Sequence, residues 1–264
     1  MKSSLKFLLA LFWSLSTLIN IYSQENFQPA YIVNLNNDTI KGLIDIRNWS
    51  KTPKTIRFKV TSDANIELYK PIQIRSFGVS KEVYQTAVVT IEISPYRESE
   101  LTYSDQPENI TDTVFLQVLI QGNKSLCCLI DENLKEHFII FQDSIYKTLF
   151  FKKYLKNIAP NKQSGDYSQV QGESGTFIQT INLYRTQLFQ YFQDCPSVHN
   201  LIPKTKYSRS DLVGLFKKYY AASEKQITYE YKKEKIKSEF GLLAGISLTN
   251  AKFSGDDLYA IYRC

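Results

Sequence analysis

The sequence predicts an α+β protein: an exported, mostly antiparallel β domain, in a sandwich or partly open barrel, followed by two helices and an incomplete β segment. Three observations carry this. Short period-two apolar stretches separated by Asn, Asp and Gly turns recur from Tyr31 to Phe151. Apolar residues then recur at three- and four-residue spacing, first over Phe177 to Phe192 and again over Leu212 to Tyr219. The 18 Tyr and 16 Phe of the chain favour pleated, half-buried surfaces.

Taken in order, residues 1–23 read as a cleavable signal peptide. Lys2 and Lys6 precede an apolar run from Phe7 to Ile21, and Ser23 stands before the polar Gln24-Glu25-Asn26. The run is short for a membrane span, which needs about 20 predominantly apolar residues. Residues 24–156 form the β-rich exported domain. Tyr31–Leu35 and Thr39–Ile46 flank Asn36-Asn37-Asp38 as a hairpin, because Asn and Asp tolerate the backbone of a tight turn. Ile56–Val60 and Thr86–Ile93 alternate strictly, whereas Pro71 marks Tyr69–Phe77 as an edge strand or a short helical turn. Val114–Ile120 and Ser125–Ile130 form a second hairpin around Gln121-Gly122-Asn123-Lys124. Asp131-Glu132-Asn133 then turns the chain into Glu136–Phe141, and Ser144–Phe151 follows.

Residues 157–175 carry the Pro, Gly and polar composition of a linker. The helical pair occupies 176–222, the first helix ending near Asp194-Cys195-Pro196 and the second capped by Ser208 to Asp211. Residues 223–239 read as a charged connector, with lysines alternating with Glu230 and Glu234. Residues 240–264 open a further strand-based segment. Without Lys2 and Lys6 the chain holds 30 basic and 26 acidic residues, a mild excess that names no nucleic-acid partner.

A hydrolytic nucleophile needs an adjacent base, and His137 and His199 are the only histidines. Cys195 with His199 is the nearest approach to a dyad, in a Pro-containing loop. Gly122-Asn123-Lys124-Ser125 lacks the glycines of a phosphate loop and reads as a hairpin turn. Cys127 and Cys128 are adjacent in a strand, so their side chains face opposite ways and serve better as small apolar groups than as a disulfide framework with Cys195 and Cys264. No catalytic residue, cofactor site or metal site is therefore expected.

Several phrases resemble exported proteins of Bacteroidota that carry a PorT-like outer-membrane β-barrel. They are Ser23-Gln24, Phe27–Val33, Asp38–Ile44, Asn48-Trp49, Val118–Leu126, Asp194-Cys195-Pro196 and Phe240–Gly245, which together span nearly the whole chain. The resemblance implies a non-enzymatic cell-envelope protein of a Gram-negative bacterium, with a periplasm-facing region ahead of a barrel that Phe240 opens. Such a barrel needs at least eight strands of about 9 to 11 residues, so 240–264 is expected to supply only its start. In such proteins a second Cys is expected after the last helix. Ala221-Ala222 stand there, so the resemblance implies no disulfide for Cys195. The alternative expectation is a secreted ligand- or glycan-binding β-sandwich whose aromatic side chains meet the ligand.

Overall fold

The hairpin signal at Asn36-Asn37-Asp38 is realised as the sequence dictates. In the computed structural model, which describes residues 25–46, 49–142, 145–157 and 175–232, Phe27–Asn34 (β1) pairs antiparallel with Thr39–Asp45 (β2). Asn37 takes a φ of 72°, and Asn34 Oδ1 accepts the N–H groups of Asn36 and Asp38, each at 2.9 Å. Ile56–Lys59 (β3) and Glu67–Tyr69 (β4) follow, and a 3-10 turn at Pro71–Gln73 leads into Ile74–Val79 (β5) and Glu82–Glu92 (β6). Asn109–Gly122 (β7), Ser125–Ile130 (β8), Glu136–Gln142 (β9) and Ile145–Thr148 (β10) complete the long run of strands. Lys152–Asn157 (β11) pairs with Thr176–Ile181 (β12); then come the helices Leu183–Tyr191 (α1) and Arg209–Ser223 (α2), and last Ile227–Glu230 (β13).

The molecule is an α+β fold. An eleven-stranded sheet runs in the order β10-β9-β8-β7-β6-β5-β1-β2-β3-β4, with β13 added to the end of β7. Every strand pair among the described residues is antiparallel. The period of two distributes side chains between two faces. On one face of β6 to β9, Ala87, Val89, Ile91, Leu116, Val118, Cys127, Leu129 and Ile139 form a continuous apolar layer. Strand β10 folds over to close this layer: Tyr146 OH donates to Gln85 Oε1 (2.9 Å) and Thr148 Oγ1 to the Thr90 carbonyl (2.7 Å).

On the opposite face lie two further cores. Ile32, Ile44, Phe58, Ile74, Phe77, Tyr84 and Phe115 pack across β1 to β7, with Trp49 set edge-on to Phe77 and Tyr84. Beyond the irregularity in β7 between Val118 and Ile120, the helices take over, burying Leu188, Tyr191, Phe192, Leu212, Phe216 and Tyr219 against Leu126, Cys128, Phe138 and Ile140. Cys127 and Cys128 thus serve different cores, as adjacency in a strand requires.

The structure corrects several boundaries. The first helix starts at Leu183, not at Thr176; Thr176–Ile181 is strand β12, paired across to β11. At Pro71 the short helical turn is the alternative that holds, over Pro71–Gln73, and it runs straight into β5, a central strand between β1 and β6 and not an edge. The helical pair shares a core with the sheet, the support that a pair this small needs. Within the expected connector 223–239, Ile227–Glu230 is strand β13, and Tyr229 and Tyr231 pack on the cores. Residues 1–23, nearly all of the 157–175 linker, the 233–239 part of the connector, the 240–264 segment and Cys264 lie outside the described residues.

Candidate functional site

The feature that stands apart is a cleft beside β7. This strand pairs with β6 from Asn109 to Gln117, but with β8 only from Gln117 onward. The divergence has a local cause. Ile130 lies two residues beyond Cys128, the last residue of β8 paired with β7, and Thr52 takes both of its backbone groups: Thr52 Oγ1 accepts the Ile130 N–H at 2.9 Å, and the Ile130 carbonyl accepts the Thr52 N–H at 3.1 Å. The segment between β2 and β3 thereby holds β8 away from β7. A cleft of about 780 Å³ remains, floored by Ile91, Ile93, Ile110, Val114 and Leu129 and rimmed by Lys54, Lys70, Asp112, Asp131 and Glu132. That size and an apolar floor with a few polar groups are typical of ligand sites.

Three of the five rim charges, Lys54, Asp131 and Glu132, have charged or hydrogen-bonding partners. Glu132 meets Lys51 at 2.9 Å and Lys54 at 3.0 Å, and the bond from Lys51 chiefly holds its carboxyl below the usual range. Asp131 Oδ1 accepts the N–H groups of Asn133 (2.8 Å) and Lys135 (2.9 Å), and its Oδ2 lies 2.9 Å from His137 Nε2. Burial pushes the Asp131 carboxyl up, but the bonds from His137 and from these two amides outweigh it and leave it below its ordinary value. The His–Asp pair staples the β8–β9 turn. His137 is only 2% exposed and does not line the cleft, and among the described residues no hydroxyl or thiol is hydrogen-bonded to its ring. The geometry lacks the nucleophile that a triad requires.

A second polar knot lies nearby and was not visible in the sequence. Lys135 Nζ donates to the Glu92 carbonyl (2.9 Å), the Glu92 carboxylate and the Ser94 carbonyl (3.2 Å), while Lys152 Nζ donates to Ser94 Oγ at 2.6 Å. A Ser–Lys pair is a known nucleophile–base combination. Here Ser94 Oγ also accepts the Glu108 N–H at 3.2 Å, all four side chains are buried, and none of them lines the cleft. The knot ties the end of β6 to the starts of β9 and β11.

The third cluster centres on Arg209, the first residue of α2. Its Nε meets Glu136 at 2.9 Å, Nη1 meets Gln117 Oε1 at 2.7 Å, and Nη2 lies 3.4 Å from Cys128 Sγ. Burial pushes the Cys128 thiol up to about 12 despite the guanidinium, and burial alone does the same for Cys127. Neither is a thiolate near neutral pH.

Cys195 Sγ lies 3.2 Å from Ser197 Oγ, and His199 Nε2 lies 3.0 Å from the Phe192 carbonyl, so the two are directed to different partners. Cys127, Cys128 and Cys195 are free and buried. The Gly122–Ser125 turn is a tyrosine clamp. Tyr220 OH donates to the Lys124 carbonyl (2.6 Å) and accepts its N–H (2.9 Å), and Tyr191 OH accepts the Ser125 N–H (2.8 Å). Gly122 belongs there because a Cβ would run into the Tyr220 hydroxyl. Among the described residues, no group of three or more His, Cys, Asp or Glu could hold a metal ion. A scan against protein-family models, a search of the curated proteins and a search of the solved structures each find no match to this chain.

Proposed function

We propose that this chain is a non-enzymatic protein of the cell envelope, whose described domain is a periplasm-facing binding module carried ahead of an outer-membrane β-barrel. The observation that carries the binding role is the cleft beside β7, with its apolar floor and a rim of mixed charge, part of it paired. The envelope setting rests on the leader-like residues 1–23 and on the resemblance of the flanking phrases. A glycan-binding version has less support. Sugars are gripped by stacked aromatic rings, yet no residue lining the cleft is aromatic, and Tyr184, Tyr191, Tyr219 and Tyr220 are buried under the helices.

The test uses the apolar dye ANS on the exported chain, with Ile72→Glu and Ile110→Glu as cleft variants, since both side chains are well exposed and folding should tolerate the change. Saturable dye binding should fall at least about tenfold in each variant with an unchanged circular dichroism spectrum, because a charge on an apolar floor opposes the transfer. Equal binding by the variants would overturn the role of the cleft. Retention of the full-length product in the cytosol, leader intact, would overturn the envelope setting.

A further inference from the structure

The cleft has a wall that a small apolar ligand would leave unused. Along Asn109–Leu116, β7 is hydrogen-bonded to β6 on one side, and among the described residues no strand pairs with its other side. In an antiparallel ladder, alternate residues aim their N–H and C=O groups to opposite sides. Thr113 directs its N–H to the Asp112 carboxylate at 2.7 Å, away from β6. By alternation Thr111 is turned the same way, so both present backbone groups outward.

The space runs along this edge. Ile110 and Val114 share one face of β7 and Thr113 lies on the other, yet all three line the cleft. A pocket over a single face would show one parity only. The edge is also unprotected by the usual devices. Residues 109–116 contain no Pro, Lys or Gly, and Asp112 is their one charge. The outer edge of the sheet is blunted instead: β4 has three residues and is followed by Lys70-Pro71. On the rim, Lys54 is paired with Glu132 and Asp131 with His137, and the remaining Lys70 and Asp112 are of opposite sign, so the rim carries little net charge and complements an uncharged occupant.

Resting on the binding role proposed above, we infer that the cleft is a strand-addition site: it takes an extended, uncharged peptide segment of a partner protein, hydrogen-bonded to the free edge of β7 with alternate apolar side chains on the Ile91, Ile93 and Leu129 floor. Main-chain bonds supply affinity in this mode, and pockets for alternate side chains supply selectivity. The five residues Ile110 to Val114 offer an edge of about 17 Å, at about 3.4 Å per residue. The Asp112 carboxylate caps one donor in the empty state, and the added strand displaces it.

The probe is a capped, fluorescein-labelled Thr-Val-Thr-Val-Thr-Val peptide, compared with the same peptide N-methylated at alternate residues. The unmethylated peptide should bind the exported chain saturably, and N-methylation on the bonding side should weaken it at least about tenfold, the worth of one or two lost hydrogen bonds. Thr113→Pro, which removes an outward N–H and spares the β6 ladder, should weaken it similarly. The methylated peptide keeps the test decisive if that variant folds poorly. Equal binding of both peptides would overturn strand addition, and so would dimerisation of the chain through this edge, abolished by Thr113→Pro, which would assign the edge to a second copy. If ANS binds and neither peptide does, strand addition fails while the cleft keeps its binding role. If neither dye nor peptide binds, the binding role itself fails.

Discussion

At the residue scale, the tyrosines are the surprise of the structure, because they act as hydrogen-bonding bolts and not as a ligand surface. Tyr191 is fully buried, and its hydroxyl accepts the Ser125 N–H while donating to the Phe141 carbonyl, each at 2.8 Å. One side chain of α1 therefore fixes both the β7–β8 turn and the end of β9. Replacing it by Phe keeps the ring and its packing, but takes the hydroxyl away from the buried Ser125 N–H and from the part-buried Phe141 carbonyl. Tyr191→Phe should lower unfolding stability by about 1–3 kcal/mol, the cost of unsatisfied buried backbone groups. A urea titration would register this as a lower midpoint with an unchanged slope. An unchanged midpoint would mean that water replaces the hydroxyl.

At the level of elements, helix α2 shows what a sequence discloses and what it withholds. Its cap was legible: Ser208 accepts the Asp211 N–H at 3.3 Å, and Leu212, Leu215, Phe216 and Tyr219 are buried as their spacing implies. The role of Arg209 was not. A cation in the first turn opposes the helix dipole, and its partners Glu136 and Gln117 lie 73 and 92 residues away, beyond any local pattern. Arg209→Met should destabilise the fold by about 1–3 kcal/mol, since Gln117 and Glu136 lose a forked partner in a half-buried site. Arg209→Lys should recover only part of that, because a single ammonium cannot serve both acceptors. Thermal melts of the three proteins would show the ranking, and equal melting of Lys and Met variants would count against the fork. Strand β12 was misread for a different reason. Phe177 and Ile181 stand four residues apart, a spacing that satisfies both a helical stripe and one face of a strand. The β-branched content of Thr176–Ile181 and its pairing with Lys152–Asn157 settle the choice.

For the whole molecule, the alternating strands, the hairpins and the split between Cys127 and Cys128 could be read from local periodicity, whereas the cleft could not. It arises because Ile130 leaves β7 for Thr52, a contact 78 residues apart that no hydrophobic pattern encodes. The turn beyond Ile130 is also where acidity should act on the fold. Asp131 is held below its ordinary value in the folded state despite its burial, through His137 and the amides of Lys135 and Asn133. A carboxyl whose folded pKa is depressed contributes stability that is present above the unfolded value and is lost as pH falls through the folded one. With an unfolded Asp near about 3.9, its contribution should therefore be complete at neutral pH, begin to fall near about pH 4 and vanish only below the lower folded value. Because the turn joins strands shared by the apolar layer of β6 to β9 and the helical core, its loss should weaken one cooperative transition instead of freeing a loop. Asp131→Asn keeps an acceptor for the two amides but removes the charge facing His137. It should be less stable than the parent at neutral pH, and the gap should close as the solution is acidified below about pH 4. Urea midpoints measured for both proteins between neutral and strongly acid pH would decide this, since a gap that stays constant with pH would place the stabilisation in the hydrogen bonds and not in the carboxylate's charge.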